Sequence, residues 1–117
     1  MTRMGGDIMP QINIRGIKVE EVCKVSHELI DKLTQAVGCP RDYFEIECIS
    51  SAKVTNGVVE EPYPFVEVAW FDRGQQIQDQ VARTITDVLM KGLGIESLDL
   101  AFRVFEKEKY YENGEHF

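Results

Sequence analysis

The chain has 117 residues, which suits one domain with a single core and is too short for two. Its 13 basic and 20 acidic residues give a net charge near −7, which repels a phosphate backbone and argues against nucleic acid as a partner. No stretch approaches the ~20 apolar residues that span a bilayer, and the opening MTRMGGDI lacks the apolar segment of a secretory signal. We therefore expect no membrane association and a cytoplasmic protein.

The first half of the chain shows the pattern of a strand, a helix and a second strand. Polar and apolar residues alternate over 11–15, apolar residues recur at helical spacing over 19–37, and alternation returns over 43–49. Gly38, followed closely by Pro40, ends the helical run. The sequence thus predicts one βαβ unit from about residue 10 to residue 49.

The second half repeats this order. The run PFVEVAWFD alternates as a strand, an apolar helical stripe follows from Ile77 to Leu89, and a last strand occupies 98–105. Gly92 and Gly94 mark the end of the helix. Strand, helix and strand therefore occur again from about residue 64 to residue 105.

Two Asn-Gly pairs follow the two units, Asn56-Gly57 in the linker and Asn113-Gly114 in the tail. Both residues of such a pair tolerate positive φ, so each pair suits a tight hairpin turn. We expect a short hairpin in the linker and a tail that folds back as a ribbon.

Two like βαβ units can share one sheet if they join through their first strands. Each crossover is then right-handed, the first strands run antiparallel, and both helices cover one face. The predicted fold is α+β, with two βαβ units that form a four-stranded mixed sheet. The other face mixes Phe65, Phe71 and Phe105 with charged residues and carries no lysine, so we expect other subunits to cover it.

This topology brings three parts of the chain to one sheet edge. Pro10 starts the first strand, Asp42 and Tyr43 start its parallel neighbour, and the segment from Phe71 to Arg73 ends the antiparallel strand. The functional interpretation is a pocket with a base, a cation for a carboxylate and a second polar group. The alternative stays open that Arg73 is a solvated residue, Asp42 a turn residue, and Pro10 merely tolerated at a strand start.

Four segments carry a resemblance to a known family: MPQINIRGI from Met9, GCPRDYF from Gly38, YPFVEVAWFDRGQ from Tyr63, and the closing YYENGEHF. In order and spacing they resemble an uncharacterised family of bacterial domains of unknown function in the tautomerase superfamily, relatives of macrophage migration inhibitory factor. The resemblance covers the chain from Met9 to its end. It implies a homotrimer and an amino-terminal proline that acts as base or acid between neighbouring subunits.

Within this resemblance the proline position falls on Pro10. Arg73 matches the substrate-carboxylate arginine of the malonate semialdehyde decarboxylase branch, and Asp42 matches the aspartate of that branch. The second arginine of the branch falls on Phe71, which argues against a decarboxylase or a dehalogenase. Tyr43, at the start of the second strand, is a further candidate for substrate contact. Tyr110 is another, because late residues of the family approach the proline.

The cytokine branch is matched less well at its pocket. Its lysine falls on Cys39, and its tyrosine and asparagine of the last strand fall on Ala101 and Arg103. His27 is interpreted as a surface residue, and His116 as a residue for packing or subunit contact.

No cofactor or metal site is predicted. The cysteines, three in number, are widely spaced without a CxxC pair, so we interpret them as reduced thiols rather than as zinc ligands or a disulfide framework.

The chemistry depends on whether Pro10 carries a free amine. A terminal amine has a reference pKa of about 8, and apolar burial and nearby cations bring it toward neutrality, so it can act as a general base. In the chain as given Pro10 is internal, and its nitrogen is an amide without a basic lone pair. Either residues 1–9 are an extension or tag before a domain at 10–117, or this member lacks the amine-based activity.

Two function hypotheses follow. The first is an enzyme that performs keto–enol tautomerisation of a small 2-oxo or enol carboxylate. The second is a non-catalytic trimeric binding or interaction module on the same scaffold.

Overall fold

The structure is a computed structural model and describes residues 9–116. The first βαβ unit begins near the start of this range. Its elements are β1 (Gln11–Arg15), α1 (Val19–Val37) and β2 (Glu45–Ile49), and a hairpin of β3 (Lys53–Thr55) and β4 (Val58–Glu60) follows. The predicted extension at residues 1–9 therefore lies outside the described residues, except for Met9.

The second unit repeats this order. It contains β5 (Phe65–Phe71), α2 (Gln75–Leu93) and β6 (Asp99–Phe105), and a second hairpin of β7 (Tyr111–Glu112) and β8 (Glu115–His116) follows. Each half is thus a βαβ unit with a hairpin appended. Both predicted hairpins are present, with Asn56 and Asn113 at φ of 50° and 52°.

The four long strands form one mixed sheet in the order β2-β1-β5-β6. β1 pairs with β2 in parallel and with β5 antiparallel, and β5 pairs with β6 in parallel. The antiparallel pair β1/β5 is therefore the axis of a pseudo-twofold, as the repeated strand–helix–strand order predicted. Because β2 runs parallel to β1 and β6 runs parallel to β5, the starts of β1 and β2 lie at one end of the sheet. The starts of β5 and β6 lie at the other end.

Both helices pack on one face of the sheet and enclose the core. Apolar residues at helical spacing supply the buried stripes of both helices, and alternate residues of β1 and β5 supply the sheet side. The buried apolar residues include Ile12, Ile14, Val22, Val25, Leu29, Leu33, Val66, Val68, Trp70, Val81, Ile85, Val88 and Leu89. The predicted core position of Trp70 is confirmed, since it is 0% exposed.

Helix α1 ends where the sequence predicts. Gly38 adopts the left-handed conformation at φ 79°, and its N–H donates to the carbonyl of Thr34 over 2.8 Å. Gly94 ends α2 in the same way at φ 67°. Among residues 9–116, neither helix combines the length and apolar character needed to cross a membrane.

Two local expectations differ from the structure. Tyr43 belongs to a 3-10 turn (Arg41–Tyr43), and β2 starts only at Glu45, because the chain after Pro40 must turn before it can pair with β1. Val104 shares its predicted face with the core-side residues of β6, but it is 48% exposed, and β6 is an edge strand of the sheet.

Candidate active site

Pro10 lies at the start of β1, where three strand ends meet. Its carbonyl oxygen accepts a hydrogen bond from the backbone N–H of Glu45 over 3.3 Å, which ties it to the start of β2. The antiparallel register sets Gln11 against Ala69, so the last residues of β5 flank the proline on the other side. Pro10 is less than 2% exposed. The predicted sheet edge therefore exists, and the proline is buried within it.

Met9 covers the same edge. Its side chain is only 2% exposed, yet it does not belong to the main core between the helices and the sheet. It precedes Pro10 directly and is bonded to the proline nitrogen. The residue attached to the proposed basic atom is therefore packed inside the protein.

Cys39, Asp42 and Arg73 form an electrostatic group near this edge. Burial raises the pKa of the Cys39 thiol, the Arg73 guanidinium opposes that rise, and the Asp42 carboxylate adds to it. Arg73 and Asp42 each therefore lie within electrostatic range of the Cys39 thiol, on which their charges act in opposite directions.

Arg73 is held over an aromatic ring. Its guanidinium carbon lies 6.0 Å from the centroid of the Trp70 ring, at the outer limit of a cation–π contact. Its Nε is buried and has no hydrogen-bond partner within residues 9–116. Such a half-buried guanidinium can bind a carboxylate through its terminal nitrogens.

Three aromatic rings form a wall at the end of β5. Phe71 lies 5.2 Å from Tyr110 and 6.3 Å from Phe105, between ring centroids, and Phe105 lies 5.5 Å from Tyr110. Tyr110 comes from the segment between β6 and the tail hairpin, so the late part of the chain does return to this strand end. Phe71 therefore gives this edge an apolar surface where a second arginine would give it charge.

The other predicted candidates lie apart from this group or at its border. Tyr43 is half-buried in the 3-10 turn after Asp42. Ala101 is exposed on the outer sheet face, where Arg103 pairs with Glu67 at 3.3 Å.

The histidines take structural positions. His27 lies on the exposed side of α1, 3.4 Å from the Asp31 carboxylate, and His116 stacks on Tyr111 at 4.5 Å between centroids. Within residues 9–116 no group of three or more histidine, cysteine or acidic side chains is arranged to hold a metal ion.

Sequence reasoning missed the burial of Met9 and the proximity of Cys39 to Arg73. Neither has a local signal, because both depend on how the segment before β1 and the turn before β2 pack against the end of β5. Pro10 and Pro64 each directly precede the first strand of a unit. This repeat could have indicated that the two prolines make equivalent backbone contacts.

The fold and the site edge define a class of protein. The chain has the tautomerase/MIF-like fold, shared with a macrophage migration inhibitory factor-like protein from Entamoeba histolytica at 19% identity and a TM-score of 0.69, over 93% of this chain and 99% of that one. A fused 4-OT described as an asymmetric trimer is similar at 13% identity and a TM-score of 0.75, over 92% of this chain and 95% of that one.

The particular family follows from the sequence itself. Residues 9–116 match the family described as a domain of unknown function, DUF1904, and the chain belongs to that family. A crystal structure of such a domain from Sebaldella termitidis is 31% identical, with a TM-score of 0.81, over 93% of this chain and 100% of that one. No curated protein is significantly similar to the chain. The family of unknown function that the sequence resembles is confirmed, and so is the tautomerase/MIF-like fold.

Proposed function

We propose that this protein is a tautomerase for a small 2-oxo or enol carboxylate, with the amine of Pro10 as its base when the chain begins at that residue. The observation that carries the proposal is the place of Pro10, buried at the first-strand edge of a tautomerase-like sheet. Arg73, at the same edge, supplies the cation for the substrate carboxylate.

The reaction needs only a proton transfer. The neutral amine of a terminal Pro10 removes a proton from the carbon next to the substrate carbonyl, and the resulting ammonium returns a proton to another atom of the same enolate. Burial of the amine and the charge of Arg73 both disfavour the ammonium form, which keeps the amine neutral near pH 7. No oxidant, metal or cofactor enters this step.

Met9 supports the dependence on a trimmed terminus. Removal of residues 1–9 converts the amide nitrogen of Pro10 into an amine and also vacates the buried volume of the Met9 side chain. The two changes occur at the same place, so the base and the space for a substrate arise together.

In the proposed site Arg73 binds the substrate, and the three aromatic rings shield the site from water. The guanidinium forms a forked pair of hydrogen bonds with the carboxylate, and it lies 6.0 Å from the centroid of the Trp70 ring. The rings of Phe71, Phe105 and Tyr110 exclude water, which strengthens the electrostatic contacts inside the site.

We further propose a homotrimer. The outer sheet face carries Phe65, Phe71 and Phe105 beside Arg15, whose guanidinium carbon lies 4.7 Å from the centroid of the Phe65 ring. The first hairpin exposes Val54, Val58 and Val59 by 67%, 58% and 71%. Apolar surface of this extent is typical of an interface between subunits.

A non-catalytic trimeric binding module is the second candidate. It is favoured by the amide nitrogen of Pro10 in the chain as given and by Phe71 at the position of a second arginine. This candidate predicts no turnover even when the amine of Pro10 is free.

The decisive experiment compares two forms of the protein, one that begins at Met1 and one that begins at Pro10. Ketonisation of phenylenolpyruvate and of 2-hydroxymuconate is followed by ultraviolet absorbance. We expect turnover only from the form that begins at Pro10, with a loss of about 100-fold or more in Pro10→Ala, because a positioned base contributes at least this much. Arg73→Gln raises KM, whereas Lys32→Gln, on an exposed turn of α1, leaves both constants unchanged.

A covalent probe separates the two candidates. A 3-halopropiolate reacts with an enzyme that positions a basic proline near a carboxylate cation, and peptide mass mapping locates the adduct. Labelling of Pro10 together with turnover supports the tautomerase. A protein that has a free Pro10 amine and sediments as a trimer, but shows no turnover, supports the binding module instead. A stable monomer at micromolar concentration contradicts the trimer in both candidate functions.

A further inference from the structure

Two of the three cysteines lie on the helix side of the sheet, near the start of α1 and the end of β2. Cys48 pairs in register with the buried Ile14 of β1, and its side chain packs against the same core. Cys23 is exposed on the second turn of α1. Neither cysteine belongs to the outer sheet face or to the first hairpin, which we propose as the subunit interface.

A cavity lies between the start of the helix and the end of the strand. Its volume is about 720 Å³, and its lining includes Val19 and Glu20 of the first turn of α1 as well as Cys48 and Ile49 of β2. Cys23 follows Val19 by four residues, and residues at this spacing lie one above the other on the same side of a helix. The helical repeat therefore places Cys23 on the flank of α1 that borders this cavity.

The direction of the chain brings both cysteines to the same end of the fold. β1 and β2 are parallel and α1 connects them, so α1 runs back along both strands. The helix contacts β2, and Cys48 is the residue before the last in that strand. The early turn of α1 that carries Cys23 thus lies beside the late residues of β2.

Cys23 also acts electrostatically on Cys48. Burial raises the pKa of the Cys48 thiol, and a negative charge on Cys23 raises it further. The two thiols therefore lie within electrostatic range, in agreement with the cavity and the helical spacing. If the Cys23 thiolate becomes an uncharged product, this second effect disappears, and Cys48 ionises more readily.

The start of α1 has the freedom to adjust that a new covalent bond requires. Lys18 occupies the N-cap position, and no side chain of residues 9–116 caps this end by a hydrogen bond. The first turn is held by the Lys18 carbonyl, which accepts the backbone N–H groups of Glu21 and Val22 over 3.0 and 3.1 Å. A disulfide needs its two Cα atoms within about 7 Å, and a helix end opens at a lower free energy than the core does.

From these observations we propose that Cys23 and Cys48 form a reversible disulfide, a redox modification site that joins α1 to β2, with a peroxide as the oxidant. The Cys23 thiolate attacks one peroxide oxygen, the O–O bond breaks, and Cys23 becomes a sulfenic acid as the second oxygen leaves and takes up a proton. The Cys48 thiolate then attacks this sulfur and displaces hydroxide, which leaves as water. The two thiols together lose two electrons to the peroxide, and exchange with a small thiol reverses the bond.

The test uses the full chain, because trypsin places each cysteine in a separate peptide, at residues 19–24, 33–41 and 42–53. The reduced protein is treated with hydrogen peroxide, blocked with iodoacetamide and mapped without reduction. We expect the peptides of Cys23 and Cys48 to be joined with the loss of two hydrogen atoms, while Cys39 is alkylated. Dithiothreitol should separate them again. A map in which Cys48 stays alkylated, or in which Cys23 is joined only to a second chain, overturns the proposal.

Urea provides the control for the folded structure. In the unfolded chain Cys39, which is nearer in sequence, should pair with Cys48 about 5-fold more readily than Cys23 does, because a shorter loop closes at a smaller entropic cost. The folded chain should reverse this preference. The same mixture of pairs in buffer and in urea would overturn the proposal, because the fold then would not bring Cys23 to Cys48.

Matched variants separate the roles of the two thiols. Cys48→Ser leaves the sulfenic acid of Cys23 without a thiol to react with, so its labelling by dimedone should rise about 5-fold or more. Cys39→Ser removes the third thiol and should leave the cross-link unchanged. Equal dimedone labelling in Cys48→Ser and in the unchanged chain, or loss of the cross-link in Cys39→Ser, contradicts the assignment.

Discussion

The two ends of the β1/β5 strand pair have equivalent backbone contacts and different surfaces. At the Pro10 end β5 runs on to Phe71, the late segment with Tyr110 folds against Phe71, and the proline is buried. At the Pro64 end β1 stops at Arg15, Gly16 turns the chain away, and Tyr63 remains 45% exposed. One repeated scaffold therefore gives one edge with a buried proline, the enclosed edge, and another edge with a half-exposed tyrosine, the open edge.

The largest effect is expected at Trp70, which joins the enclosed edge to the core. It is 0% exposed, packs at 4.9 Å between centroids on Phe102, and carries Arg73 on its other side. Trp70→Ala lowers the free energy of unfolding by about 3–5 kcal/mol because it empties a large buried volume. Urea unfolding measures the loss.

The matched variant Trp70→Phe keeps a ring against Phe102 and removes an indole N–H that is buried without a partner in the described residues. It should cost about 1.5 kcal/mol or less, since the lost volume is offset by the loss of an unsatisfied donor. Equal losses in the two variants would show that Trp70 does not stabilise the fold through packing.

The next effect is expected at Gly16 on the open edge. Its φ is +81°, and a Cβ added there would lie 2.6 Å from the Tyr63 carbonyl oxygen, which leaves no room for a side chain. Gly16→Ala should lower the free energy of unfolding by about 2–3 kcal/mol.

Gly94→Ala is the control, because φ is +67° there but no atom of the described residues lies within 4 Å of the added carbon. It should cost only about 1 kcal/mol, from backbone conformation alone. Thermal unfolding of both variants separates the steric cost from the conformational one, and similar losses would contradict the close approach of β1 to Tyr63.

A smaller effect is expected from Tyr63→Phe. The change removes the hydroxyl that bonds Ser97 and Asp99 and should cost about 1 kcal/mol in urea unfolding. It should also loosen the open edge without any change at Cys39 of the enclosed edge. A change in Cys39 alkylation in this variant would show that the two ends are coupled.

The smallest effect concerns the Cys39 thiol. Because burial raises its pKa and Arg73 opposes the rise, Arg73→Gln should raise the pKa further and slow alkylation by iodoacetamide about 2–5-fold at pH 8. Exposed Cys23 provides the internal control in the same peptide map. An unchanged Cys39 rate would place Arg73 outside the site.

The raised pKa of the Cys39 thiol also affects how the free energy of unfolding depends on pH. A thiol whose pKa is raised in the folded state binds its proton more tightly there than in the unfolded chain. Its contribution to stability is complete below the ordinary thiol pKa and is lost as pH rises through the raised folded value. Cys39→Ser should therefore flatten the fall in unfolding free energy above about pH 8.5, the ordinary range of a thiol.

Local patterns were enough to predict the architecture. Alternation over β1 and β5, the helical stripes that end at Gly38 and Gly94, and the two Asn-Gly turns each depend on neighbouring residues, so each could be seen in the sequence. The order of elements then restricted the sheet to one plausible pairing of the first strands. Family membership followed from the order of the motifs rather than from any one of them.

The details of the site could be predicted only in part. The approach of the starts of β1 and β2 to the end of β5 follows from strand direction and is confirmed, whereas the site made of Pro10, Asp42 and Arg73 stays a prediction. Three details depend on tertiary packing, which local sequence patterns do not encode. They are the burial of Met9, the position of Cys39 beside Arg73 and the start of β2 at Glu45.

The hydrogen bond from Glu45 to the Pro10 carbonyl has a consequence for maturation. The carbonyl of the proline, and not its nitrogen, pairs with the neighbouring strand, so a change at the nitrogen leaves this hydrogen-bonding atom unaltered. Proteolytic or translational choice of the first residue could alter the chemistry of the nitrogen while the register of the sheet stays the same.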